Sequence, residues 1–104
     1  MKRLRTFDAA EYLDTPEAQA EFISAALETG DPGYVAKAIG TVARARGMTA
    51  IARDAGIARE ALYRSLSETG DPKLSTLMGV MRGLGMQVSV APATGAEVAG
   101  AKSR

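Results

Sequence analysis

Arg59, Glu60, Tyr63 and Arg64 lie close enough in sequence for one side of a helix to present all four. Arginine pairs with guanine edges or with phosphates, and glutamate accepts from cytosine. Tyrosine can donate to a phosphate or stack on a sugar edge. Together these side chains suit the reading of base edges in a major groove. A polar face that only meets water would contain the same residue types, so the elements around them must decide.

Those elements lie in the run Met48 to Ser67, MTAIARDAGIAREALYRSLS. A helix is predicted to start at Thr49, whose hydroxyl can cap the free amides of the first turn. Ile51, Ala52 and Ala55 give it a small apolar face. Gly56 stands where a chain leaving a helix often needs positive φ, and Ile57 re-enters the core. A second helix is predicted from about Ala58 to Leu66, with Leu62 and Leu66 four apart on the buried side. Two short helices joined by a glycine turn form a helix-turn-helix, whose second helix can enter a major groove. Phosphate contacts are expected from Thr49, Arg53, Lys73 and Ser75, and base contacts from Arg59, Glu60, Tyr63 and Arg64.

Composition removes most other chemistry. The 104 residues suit one domain with a small core. Zero Cys excludes disulfides and thiolate metal sites and fits a reducing cytoplasm. Zero His removes the commonest metal ligand and general base. There is no GK[ST] phosphate loop, no G-x-G-x-x-G and no apolar run of membrane-spanning length. Lys2, Arg3 and Arg5 look like the start of a signal peptide, but no apolar stretch follows them. Lys73 beside Ser75 is the nearest approach to a nucleophile with its base, and nothing supports it beyond proximity. The expectation is a protein that is not an enzyme and uses no cofactor, metal or small-molecule substrate.

Charge is segregated although the net charge is only +1. Residues 1–31 hold seven carboxylates against Lys2, Arg3 and Arg5, whereas residues 32–104 hold ten cations against five carboxylates. A chain that meets DNA with one part and a basic protein with another would look like this. Ordinary solvated helix faces would too.

Along the chain, residues 1–14 read as an arm, irregular or with a short helical turn near Ala9 to Leu13. Residues 15–90 read as the helical domain, with the motif at 48–67. Thr15 and Pro16 open a helix with the apolar stripe Phe22, Ile23, Ala26 and Leu27. Gly30 ends it, and Asp31 and Pro32 open a second helix that runs to Arg46. The string ETGDP occurs at Glu28 to Pro32 and again at Glu68 to Pro72, and reads as one stop-and-start device used twice. A last helix is predicted from about Leu74 to Leu84, buried through Leu74, Leu77, Met81 and Leu84. Gly79 and Gly83 inside it would permit close approach of another backbone. Gln87 to Val90 alternates and reads as a short strand, which would pair with its copy in a dimer built by Leu84, Met86, Val88 and Val90. Residues 91–104 read as a disordered tail.

The spacing of Ala52, Gly56 and Leu62, with Ile51 and Ile57 beside the first two, resembles the Cro/lambda-repressor type of helix-turn-helix. The wider string from about Phe7 to Val90 resembles the small addiction-module antidote proteins of the HigA-like kind, a group that includes prophage DNA-binding proteins. Its most specific parts are ARARGM (Ala43 to Met48), the helix-turn-helix, and the series Gly70, Pro72, Leu77, Leu84 and Gly85. Two positions depart from the pattern. Met48 stands where many Cro-like domains carry Gln, and Ala58 stands where Ser or Thr would commonly open the recognition helix.

The resulting expectation is an all-α, five-helix Cro/lambda-repressor-like DNA-binding domain with a short C-terminal strand. It would bind double-stranded operator DNA as a homodimer and repress its own operon. The resemblance further implies that it neutralises a RelE/ParE-like ribonuclease toxin. The acidic face of the first helix, Glu17, Glu21 and Glu28, would meet that toxin. A stand-alone prophage repressor without a toxin would keep the same DNA chemistry. An interaction module that had lost DNA binding would keep only the acidic helix.

Overall fold

Thr15 and Asp31 each open a helix by the same local device. In the computed structural model, which describes residues 13–93, the Thr15 hydroxyl accepts from the Ala18 amide at 3.1 Å. Pro16 then occupies the first turn of α1 (Pro16–Glu28), where its missing N–H costs no hydrogen bond. The Asp31 carboxylate accepts from the amides of Gly33 and Tyr34, and opens α2 (Pro32–Arg46). Between them, the Thr29 hydroxyl donates to the Ala26 carbonyl at 2.7 Å and accepts from the Asp31 amide at 3.1 Å. The string Glu28 to Pro32 is therefore a helix stop followed by a start, as predicted.

The second copy of that string behaves differently. α4 (Arg59–Ser65) has already ended before Glu68, and α5 (Leu74–Gly83) begins only after Lys73, with no side-chain cap. Residues Ser67 to Gly70 close a turn instead, with the Gly70 amide donating to the Ser67 carbonyl at 2.9 Å. Asp71 is left outside both helices.

α3 (Met48–Ala55) starts one residue earlier than predicted. Gly47 closes α2 by donating to the Ala43 carbonyl and starts α3 by accepting from the Ile51 amide. Thr49 thus lies inside the first turn, exposed, and makes no cap bond, which corrects the predicted capping role. At the other end the expectation holds. Gly56 is left-handed (φ 70°, ψ 34°), its amide donates to Arg53, and the Ile57 amide donates to Ala52. This double closure needs a residue that tolerates positive φ, which glycine does without a Cβ penalty.

The five helices of the described residues surround a core of Leu13, Ile23, Ile39, Val42, Met48, Ile51, Leu62, Leu66, Val80 and Leu84. Among the described helices α3 and α5 make the most extensive contact, and α1 packs on α2. A Cβ at Gly79 would lie 2.8 Å from the Ala55 Cα, so α5 reaches α3 through a position that only glycine can fill. This close approach turns α5 so that Gly79, Val80, Met81 and Leu84 are buried. Leu74, predicted as core, is rotated out and is 72% exposed. Leu27 of α1 is exposed as well, while Gln19, one turn before Ile23, is buried in its place. The Gln19 amide donates to the Leu13 carbonyl at 3.1 Å and accepts from the Arg46 guanidinium at 2.6 Å. It ties the start of the described chain to the end of α2.

Among the described residues there is no strand, and Gln87 to Val90 is irregular. The predicted strand fails because the described part of the chain offers no second strand to share its hydrogen bonds. The expectations for the arm up to residue 12 and for the tail from residue 94 lie outside the described residues.

Candidate nucleic-acid interface

α3 and α4 are held together by small and branched apolar residues that face inward. Ile51, Ala52, Leu62 and Leu66 are buried, and Ile57 in the turn packs against them. With Leu62 fixed in the core, the helical period leaves Arg59, Glu60, Tyr63 and Arg64 on the outside of α4, and all four are exposed. Ala58 precedes α4 in an extended conformation and supplies no side-chain cap.

Two of the four touch. The Arg59 guanidinium carbon lies 5.2 Å from the centroid of the Tyr63 ring, and Arg59 Nη2 donates to the Tyr63 hydroxyl at 3.4 Å. Arg64, next to Tyr63 in sequence, lines an open groove between α4 and the start of α5. Thr69, Lys73 and Ser75 line the same groove. Arg64, Lys73 and Ser75 are therefore gathered on one concave surface, rich in hydroxyl groups, where the Asp71 carboxylate stands with the two cations. Thr49 and Arg53, one turn apart on α3, are exposed but do not line it. Arg53 Nε lies 3.8 Å from the Asp54 carboxylate, with both side chains solvated, so that pair contributes little.

The described residues contain no cluster of three or more His, Cys, Asp or Glu able to hold a metal. They also contain no helix long and apolar enough to cross a membrane. A family model described as a probable addiction module antidote protein matches residues 3–92. The chain belongs to this antidote family. An uncharacterized protein of Haemophilus influenzae is 43% identical to it over 89 residues, covering 86% of this chain and 92% of the relative. No solved structure matches the chain.

An addiction antidote implies a toxin partner, so the remaining surfaces of the antidote matter. Glu17, Glu21 and Glu28 are all exposed on α1, a helix without a single Lys or Arg. Among the described residues none of the three takes part in an ion pair. Leu27 and Tyr34 are exposed on either side of the turn between α1 and α2.

The expected dimer surface divides. Leu84 is 2% exposed and belongs to the antidote's own core, so it cannot contact a second copy. The reason is its place as the C-cap of α5, where it turns into the core beside Val80 and Met81. Met86 folds back on the core, its amide donating to the Met81 carbonyl at 2.9 Å. Val88 and Val90 remain exposed. Leu74 and Met78, one turn apart on α5, are exposed apolar residues that the sequence reading missed. The signal for them was the glycine pair at Gly79 and Gly83, which marks the opposite side of α5 as the close-packed one.

Proposed function

We propose that this antidote is a HigA-like transcriptional repressor of its own toxin–antidote operon. It binds double-stranded operator DNA as a homodimer through a Cro-type helix-turn-helix formed by α3 and α4, and neutralises a RelE/ParE-like toxin. It acts in the cytoplasm without catalysis, cofactor or small-molecule substrate. The observation that carries the reading is the outer face of α4. Arg59, Glu60, Tyr63 and Arg64 are presented together on a short helix that follows a left-handed glycine turn and is anchored by buried Leu62. Lys73 and Ser75 flank it with groups suited to phosphate.

One helix per chain offers too little contact for tight operator binding, so a twofold pair is required. Met78, Val88 and Val90, with Leu74, supply exposed apolar surface for it. Footprinting on DNA upstream of its own gene should show two half-sites related by a dyad. Deleting residues 87–104 should give a monomer in sedimentation and a much weaker footprint. A full-length chain that sediments as a monomer at tens of micromolar, in order of magnitude, would remove the dimer from the mechanism.

The toxin contact has its own test. A ribonuclease must attract phosphate and so presents positive charge, which the acidic face of α1 complements. Complementary fields mainly speed encounter. Reversing Glu17 and Glu21 to Lys should slow toxin association about tenfold at low salt while leaving operator binding intact. Unchanged association kinetics would exclude this face.

A further inference from the structure

Arg59 and Tyr63 stand one turn apart on the exposed face of α4, and their contact is the only cation–π pair among the described residues. We propose that Tyr63 is a positioning residue that holds the Arg59 guanidinium ready for a guanine edge, and so sets the base preference at one operator position. This inference rests on the reading of α4 as the DNA-contacting helix.

An unrestrained arginine on a helix surface samples many rotamers, and bidentate pairing with guanine O6 and N7 demands one orientation of its plane. The Tyr63 ring supports the guanidinium at 5.2 Å, and the Tyr63 hydroxyl accepts from Nη2 at 3.4 Å. A guanidinium carries five N–H donors, so one engaged donor leaves enough for a two-pronged contact. The tyrosine hydroxyl, accepting from Arg59, still has its own proton to give to a phosphate. No carboxylate among the described residues forms an ion pair with Arg59. A carboxylate partner would compete with the base for the same N–H groups. An aromatic face orients the cation and leaves those N–H groups free.

Arg64, also on α4, has no such support among the described residues, and Arg53 faces the Asp54 carboxylate instead. The pair therefore distinguishes Arg59 from the other cations near the motif. It also assigns Tyr63 a role different from an independent base contact: its effect on sequence preference passes through Arg59.

The test compares the full-length wild-type chain with Arg59→Ala, Tyr63→Ala, Tyr63→Leu and Tyr63→Phe. The probe is the promoter fragment of its own gene, with guanines replaced one at a time by adenine or by 7-deazaguanine, which lacks the N7 acceptor. At one guanine, wild type should lose roughly tenfold or more with either replacement. Arg59→Ala should lose that discrimination. Tyr63→Ala and Tyr63→Leu should lose most of it, and Tyr63→Phe should keep most, because the ring remains. Tyr63→Leu retains an apolar side chain of good helix propensity, so its failure cannot be ascribed to loss of α4. Discrimination that depends on Arg59 yet survives in Tyr63→Ala and Tyr63→Leu overturns the inference and leaves the reading of α4 standing. A wild-type chain without sequence-specific binding, or with binding indifferent to Arg59, overturns that reading and the inference with it.

Discussion

Gly79→Val is expected to lower the melting temperature by roughly 4–24 °C. A Cβ at this position would sit 2.8 Å from the Ala55 Cα and 3.2 Å from its Cβ, and a valine adds two more methyl groups. Backbone cannot move aside as a long side chain can, so α5 would have to lift away from α3. Overpacking of this kind costs about 1–3 kcal/mol. In a domain this small each kcal/mol shifts the midpoint by about 4–8 °C. The consequence is functional as well as structural, because α5 braces α3, and α3 with Gly56 sets the position of α4. Gly83→Ala is the control. Its Cβ would meet the Cβ and Oδ2 of Asp54 at 3.1 Å and the Cδ1 of Ile51 at 3.4 Å, side-chain atoms rather than the backbone that blocks Gly79. Relief of the glycine's helix penalty, about 1 kcal/mol, works against that tight fit, so this variant should melt much closer to wild type than Gly79→Val. Equal melting of wild type and Gly79→Val in calorimetry would show that α3 and α5 do not pack this closely.

Arg59→Ala is expected to cost about 1–3 kcal/mol on the operator and to relax preference at a single base pair. Arg59 opens α4, and the first residues of a recognition helix reach furthest into the groove. Lys73→Ala and Arg53→Ala should behave differently. Both side chains are exposed and lie outside α4, Arg53 on α3 and Lys73 just before α5, so phosphate rather than base edges is their expected partner. Their loss should weaken every sequence alike and reduce the dependence of log K on log salt by about one ion each. Titrations at several salt concentrations, against the operator and an unrelated duplex, separate the two behaviours. Operator affinity unchanged in Arg59→Ala would mean that α4 is not the reading helix.

What the sequence determined by itself is whatever closes within a few residues. Thr15 with Pro16, Asp31 with Pro32, and Gly56 with Ile57 mark helix boundaries because each satisfies amides or carbonyls no more than five positions away. The outer face of α4 was legible for the same reason. Once Leu62 and Leu66 point inward, the helical period leaves Arg59, Glu60, Tyr63 and Arg64 outside. Local rules failed where two segments meet. The same five letters stop and start a helix at Glu28 to Pro32 but lie in a loop at Glu68 to Pro72. There, α2 takes the linker against Gly33 and Gly40, which lie beneath the carbonyls of Glu68 and Leu66. Leu74 and Leu84 look alike in an apolar period, yet one is solvated and the other buried, because the approach of Gly79 to Ala55 chose the side of α5 that faces inward. Gln19 reads as a surface residue until Leu13 and Arg46 are brought to it. Only the tertiary structure decided these points, since burial depends on which neighbours arrive, and those neighbours are distant in sequence.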